Sequence, residues 1–322
     1  MEPKIIVITG PTCSGKTSLS LILAEKLNGE IISADSRQIF RYLDIGTAKP
    51  SMQQLEKVKH YFIDILDPDE NYNVSRFEND AISVMDSIVR RNKVPIVVGG
   101  SGLYIKALVD GIFNEVDVDE TYRNELSENR EKHGNEYLYS KLLKVDPESA
   151  HKMLPQNWKR VMRALEVFHL TGRTIGSFQK EHKRQMHFKF LQFGLNWQRS
   201  ILYNNIEKRV DQMIALGLVA ETEEILAKGF NKDINALNTV GYKEIISFLE
   251  GDITLERAVE LIKRNTRRFA KRQLTWFRAD GRISWLELPN IYRPDIDIHQ
   301  QSDLTKDLDN IADEIIRREE LG

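Results

Sequence analysis

An unbroken apolar run, Ile5 to Ile8, lies near the start of the chain, and after a glycine-rich turn Leu19, Leu23 and Leu27 follow at four-residue intervals. The run has the length of a strand buried on both faces, and the spacing draws one apolar stripe along a helix. The alternation recurs. It predicts strands at Lys4 to Thr9, Glu30 to Ala34, Tyr61 to Leu66 and Pro95 to Val98, with helices at Thr17 to Leu27 and near Val74 to Arg91. Strands and helices taking turns in this way build a parallel sheet with helices on both faces. From about Asp117 to Arg184 the pattern is polar and helical, with helix-like stretches at Thr121 to His133, Glu136 to Lys144 and Trp158 to Leu170, and it reads as a helical insertion. Phe188 to Asn196 returns to the sheet. Helices are predicted at Tyr203 to Lys228, Tyr242 to Glu250 and Thr254 to Phe277, and the segment after Pro294 is polar and weakly helical.

Composition narrows the class. With 322 residues, 41% hydrophobic and 29% charged, the chain can bury one large core plus an insertion. No run approaches the roughly 18 apolar residues that span a membrane. Met1-Glu2-Pro3-Lys4 enters the first strand directly, which predicts no leader peptide and a cytoplasmic enzyme. One cysteine, Cys13, excludes an internal disulfide and a cysteine-based zinc module. A net charge of −2 offers no global attraction to nucleic acid, so any such partner is held by local patches.

The turn after the first strand supplies the chemistry. Gly10-Pro11-Thr12-Cys13-Ser14-Gly15-Lys16-Thr17 fits the phosphate-loop pattern G-x-x-x-x-G-K-[ST]. Such a loop aims backbone N–H groups and a helix dipole at an anion, with Lys16 reaching the outer phosphate and the Thr17 hydroxyl able to hold Mg²⁺. A chance match in a chain of this size has odds of about one in a hundred. The expected fold class is α/β, a P-loop NTPase-like parallel sheet flanked by helices, with a helical insertion domain and a helical C-terminal region. The core's first part is expected over 1–115, the insertion over 116–187, the core's second part over 188–290 and a polar tail over 291–322.

Other residues carry two readings each. Asp35, at the end of the second strand, caps a turn or faces a ligand beside the loop. Gly99-Gly100-Ser101-Gly102 stands where a phosphate-loop hydrolase often carries a metal-binding aspartate; its glycines form an ordinary turn or admit a ligand. In the helix from Thr254, Arg257, Arg264, Arg268, Lys271 and Arg278 gather opposite Leu255, Ala258, Val259, Ile262, Phe269, Trp276 and Phe277, and Glu260 is the only acid from Arg257 to Arg278. That face is either solvated or a contact for a phosphate backbone. Lys159, Arg160 and Arg163 make a second basic cluster with the same two readings. Trp276 and Phe277 read as core. Arg209 lies on the edge of the stripe Ile206, Val210, Met213 and Ile214, a place that calls for an anionic partner, in a salt bridge or a ligand.

Together the motifs resemble a family. GPTCSGKT, ISADSRQIFRYLDIGTAKP from Ile32, VGGSGLYIKAL from Val98, RALEVFHLTG from Arg163, VGYKE from Val240 and AKRQLTWFR from Ala270 occur in the order found in bacterial tRNA dimethylallyltransferases. The resemblance runs over nearly the whole chain to about Arg278. It implies transfer of a prenyl group from dimethylallyl diphosphate to N6 of adenosine 37 in the anticodon stem-loop of tRNA, with release of diphosphate. By resemblance the loop, Gly10 to Thr17, holds the prenyl diphosphate with Mg²⁺ at Thr17. Asp35 is the base, and Thr17, Ser101 and Arg209 share stabilisation of the leaving group. Asp35, Ser36, Arg37 and Gln38 meet the target base. Lys159, Arg160, Val161, Met162 and Arg163, then Asn238, Thr239, Val240, Gly241, Tyr242 and Lys243, and then Lys271, Arg272, Gln273 and Arg278 touch the stem-loop. Arg264 and Arg268 join the last group from the basic face, and the enzyme is expected as a monomer. Ser101 stands where the family commonly has threonine, Arg37 where it has methionine and Lys159 where it has glutamine. Two other activities fit the loop: prenylation of free adenine nucleotides, and small-molecule phosphorylation.

Overall fold

The computed structural model describes residues 2–112, 116–181, 187–288 and 302–321. The chain forms two compact units, 1–109 with 186–322, and 110–185.

In the first unit, strands β1 (Lys4–Thr9), β2 (Gly29–Ser33), β3 (His60–Tyr61), β4 (Val94–Gly99), β5 (Lys189–Asn196) and β6 (Ser284–Glu287) form one sheet. Every pairing is parallel and the order is β3-β2-β4-β1-β5-β6. The unbroken pattern of β1 follows from its central place: Ile6 and Ile8 enter one core with Leu19 and Leu23, whereas Ile5 and Val7 enter the other with Phe77 and Met85. Helices α1 (Lys16–Leu27), α2 (Met52–Lys57), α3 (Val74–Arg90) and α4 (Gly102–Asp110) belong to the crossovers before the insertion. The second unit holds α5 (Glu120–His133), α6 (Asn135–Val145), α7 (Pro147–Ala150), α8 (Trp158–Thr171) and α9 (Ile175–Glu181) around Leu126, Leu138, Leu142, Val161 and Leu165. The chain then returns to the first unit with α10 (Arg199–Ala215), α11 (Leu218–Ala227), α12 (Tyr242–Leu249), α13 (Leu255–Arg278) and α14 (Ser302–Leu321).

Three expectations change. The helix predicted over Tyr203 to Lys228 is two helices, because Gly217 takes φ 101° and starts a new one. The strand predicted to Leu66 stops at Tyr61, since Phe62 (φ 64°) and Asp64 (φ 54°) turn left-handed. The expected polar tail contains α14, whose Leu308, Ile311, Ala312 and Ile315 are buried in the α1 core, with Lys26 paired to Asp309 at 3.1 Å and Asp313 at 2.6 Å. The boundary near Arg184 and residues 291–301 lie outside the described residues. β6, a four-residue edge strand, was too short to carry a period.

Candidate active site

The phosphate loop leaves β1 at Gly10, whose φ of +146° and surroundings suit only glycine: a Cβ would lie 3.1 Å from Leu195 O. Cys13 (φ 62°) and Gly15 (φ 88°) are also left-handed and wrap the chain into a concave turn. No side chain caps α1, so its first-turn N–H groups remain open for an anion. Two buried hydroxyls, Ser14 Oγ and Thr9 Oγ1, have no hydrogen-bond partner among the described residues. The loop is braced from behind. Trp197 Nε1 donates to Ser14 O at 3.1 Å, and Gln273 of α13 bridges two loops, accepting from Thr12 N at 2.8 Å and donating to Gly100 O at 3.0 Å.

Cations face this cradle. Lys16 Nζ donates to Pro11 O at 2.6 Å. Burial brings its ammonium down to about 8; the neighbouring Cys13 and Asp35 oppose the shift and Arg209 adds to it. Arg209 has no carboxylate partner among the described residues, and its guanidinium points at the loop, 3.5 Å from Cys13 Sγ. No carboxylate of the described residues supplies the anion its position called for.

The ends of β2 and β4 complete the site. Ala34 N donates to Val98 O at 2.7 Å and Ser101 N to Ala34 O at 3.2 Å, which carries Asp35 and Ser101 to the same edge as the loop. Asp35 Oδ1 accepts from Arg37 N at 2.8 Å and Gln38 N at 3.4 Å, so the turn-capping reading holds for one oxygen. Among the described residues its other oxygen has no hydrogen-bond partner. Ser101 Oγ accepts from Ser36 N at 3.0 Å. Burial lowers the Arg37 pKa against the pull of Asp35, and raises the Tyr104 phenol to about 12, so these three groups and Lys16 share one electrostatic neighbourhood.

The glycine turn has a different reason from a ligand. A Cβ at Gly99 would lie 2.1 Å from Ala34 O, at Gly100 2.1 Å from Gln273 Nε2, and at Gly102 2.3 Å from the Trp276 ring. These glycines admit α13 and the neighbouring strand end. Gln273 itself, expected to touch RNA, is buried and occupied by the loop. The available signal was its register: with Ala270, Leu274 and Phe277 it falls on the inward stripe. Trp276, read as core, is 37% exposed.

Other expected RNA contacts divide by exposure. Val161 and Met162 are buried in the second unit's core, so their side chains face away from any RNA. Arg163 is spent on the fully buried Glu166 at 2.6 Å and on the carbonyl of Val116 at 2.8 Å. Tyr242 is fully buried, its hydroxyl donating to Glu221 at 2.6 Å, and the Gly241 N–H is bonded to Glu244. Gln38 is held by Ser33 and by the carbonyls of Thr47 and Ala48, Arg37 by the carbonyl of Asn235. Thr239 bonds Ala236 O, and Val240 packs against the core around α12. Lys159, Arg160, Asn238, Lys243, Arg264, Arg268, Lys271, Arg272 and Arg278 are exposed. Among the described residues no group of three or more His, Cys, Asp or Glu could hold a metal, and no helix is long and apolar enough to cross a membrane. Among the described residues the Thr17 hydroxyl on the first turn of α1 has no hydrogen-bond partner, and a lone hydroxyl beside a phosphate cradle fits Mg²⁺, which takes most of its oxygens from phosphate and water.

This geometry has known counterparts. A family model described as IPP transferase matches residues 38–280. The tRNA dimethylallyltransferase of Pelotomaculum thermopropionicum is 47% identical over 90% of this chain and 92% of its own length. That of Thermotoga neapolitana is 45% identical over 91% and 95%. The crystal structure of the tRNA isopentenylpyrophosphate transferase of Bacillus halodurans is 37% identical, covers 100% of this chain and 99% of its own, and superposes with a TM-score of 0.68. A eukaryotic dimethylallyltransferase solved while acting on tRNA is 30% identical over 88% of this chain and 74% of its own, with a TM-score of 0.74. By sequence and by fold, this chain belongs to the IPP transferase family, among the tRNA dimethylallyltransferases.

Proposed function

We infer that the chain transfers a dimethylallyl group from dimethylallyl diphosphate to the exocyclic N6 of adenosine 37 in tRNA. The observation that carries this reading is the pairing, at one sheet edge, of an uncapped phosphate loop flanked by Arg209 with a carboxylate that keeps one oxygen free. A phosphate loop alone suits a kinase. A carboxylate beside it could serve a kinase as base too, but the end of β4 supplies glycines packed on α13 in place of a metal-binding carboxylate.

The reaction balances on these groups. As N6 attacks the allylic carbon, the N–C bond forms and the C–O bond to diphosphate breaks, its electron pair leaving with the diphosphate. The N6 proton passes to the free oxygen of Asp35, whose other oxygen is fixed by the Arg37 and Gln38 amides. Charge gathering on the leaving group is met by Lys16, Arg209, the first-turn amides of α1 and the Ser101 hydroxyl. Thr17 would hold Mg²⁺, which supplies further neutralisation of the diphosphate. The target base has to leave its stack, and Ser36, beside Asp35, lies where it would arrive. Lys159 and Arg160 on α8, and Arg264, Arg268, Lys271 and Arg272 on α13, are exposed cations suited to phosphates of the stem-loop. Such an enzyme works in the cytoplasm as a monomer.

The test combines labelled dimethylallyl diphosphate, unmodified tRNA and Mg²⁺, with the product nucleoside identified by mass. Prenylated adenosine at position 37 is expected without ATP. Label in AMP and none in tRNA, or stoichiometric ATP consumption, overturns the reading.

A further inference from the structure

A cleft of about 880 Å³ in the same unit has no residue of the phosphate loop in its lining. Its walls are two helix faces. Gly102, Ile105, Lys106 and Val109 recur at helical spacing on α4; Arg268, Lys271, Arg272, Thr275 and Trp276 do so on α13. The two helices meet where the Trp276 ring sits on Gly102. Gln192 of β5 lines the cleft with Phe277 and Ile283.

Gln192 is the informative residue. It is 5% exposed, it occupies a central strand paired to Val7 of β1, and its amide makes no hydrogen bond to the described protein. Lining the cleft from a strand face otherwise packed with Phe188, Phe190 and Ile283, the amide offers a ligand there both donors and an acceptor. The rim adds a charge preference: among the described residues Arg268, Lys271 and Arg272 have no carboxylate partner, while the one acid of the lining, Asp280, is engaged by Arg282 at 2.6 Å. Trp276, 37% exposed, adds aromatic surface.

An amide donor and acceptor, an aromatic surface and an anion-binding rim match one ligand chemistry, a planar heterocycle carrying phosphate. We propose that the cleft between α4 and α13 binds a nucleoside phosphate, with the base against Gln192 and Trp276 and the phosphate on Arg268, Lys271 and Arg272. This site is separate from the phosphate loop and does not depend on the proposed prenyl transfer.

The test fills the loop first. Full-length protein is titrated with inorganic diphosphate and Mg²⁺ and, once saturated, with AMP by calorimetry. One AMP per chain is expected, weakened at least tenfold in Gln192→Leu and in the isosteric Gln192→Glu, with diphosphate affinity and melting temperature unchanged in at least one of them. Loss of AMP binding on filling the loop overturns the proposal, as does AMP affinity unaltered in both variants. An anticodon stem-loop RNA then separates the sources. Displacement of AMP by RNA, with RNA binding weakened in Gln192→Leu, assigns the cleft to an unstacked nucleotide of the RNA; simultaneous binding of both assigns it to a free nucleotide. Failure of diphosphate to bind at all would count against the prenyltransferase reading alone.

Discussion

Replacing Gln273 with alanine should loosen the phosphate loop from behind without touching any group that faces the ligand. The side chain is buried and makes two bonds across 173 and 261 residues of sequence, to Gly100 O at 3.0 Å and from Thr12 N at 2.8 Å. Its removal leaves a buried carbonyl and a partly buried N–H without partners, each costing about 1–3 kcal/mol. Water entering the vacated space recovers part of this, so the expected loss is about 2–4 kcal/mol. At roughly 2–4 °C per kcal/mol for a unit of this size, the melting temperature should fall by about 5–15 °C. Diphosphate affinity should fall with it, because Thr12 loses the bond that fixes its N–H. Gln273→Glu is the sharper variant. It keeps an acceptor for Thr12 N, loses the donor to Gly100 O and places a negative charge behind the loop, so affinity should drop more than stability does. Thermal unfolding and calorimetric titration with inorganic diphosphate measure both quantities. A Gln273→Ala protein that melts within a degree of wild type and binds diphosphate equally well would refute the brace.

Asp35→Asn keeps the acceptor for the Arg37 and Gln38 amides but cannot take a proton at neutral pH, so turnover should fall about 10²–10⁴-fold with diphosphate affinity little changed; single-turnover kinetics with near-normal rates would remove it as base. Lys16, held down to about 8 by burial, binds an anion as its protonated form, so diphosphate affinity should be full below about pH 8 and weaken as pH rises through that value. Lys16→Met should bind weakly and lose this component of the pH profile, as titrations from pH 6.5 to 9.5 would report. Arg264→Gln with Lys271→Gln removes two exposed cations, and the plot of log affinity for tRNA against log salt should flatten by about 1.5–2; an unchanged slope makes that face an ordinary solvated one.

Much of the first unit was legible because its strands are buried on both faces or bounded by glycine. β1, β2, β4 and β5 could be read from apolar runs, and the loop from a motif whose backbone is its function. The helix break at Gly217 and the strand stop at Phe62 were not legible, since each depends on a left-handed residue inside an otherwise regular pattern. At the site, Asp35, Ser101, Lys16 and Arg209 could be named because each sits at a strand end, in the motif or against the grain of an apolar stripe. The segments expected to face RNA were less legible. A contiguous stretch such as Lys159 to Arg163 lies on a helix that turns 100° per residue, so Lys159 and Arg160 are exposed while Val161 and Met162 are buried. Arg163 looked like part of the basic cluster, but the buried Glu166 three residues on claims it.

The same helical geometry gives α13 two separate jobs. Its inward stripe, Ala270, Gln273 and Phe277, is buried, and Gln273 ties the phosphate loop to the turn after β4. Its outward side carries Arg264, Arg268, Lys271 and Arg272 to solvent. Gly100 and Gly102 belong to the inward job, for they let Gln273 and Trp276 approach the turn to distances that no side chain would allow. Substitutions in this helix should therefore sort by face and not by position along it. Inward changes should move stability and diphosphate affinity together, whereas outward changes should alter RNA affinity and its salt dependence and leave stability and diphosphate affinity in place. Gly100→Ala belongs with the first group although it lies far away in sequence, because its Cβ would displace the Gln273 amide from Thr12.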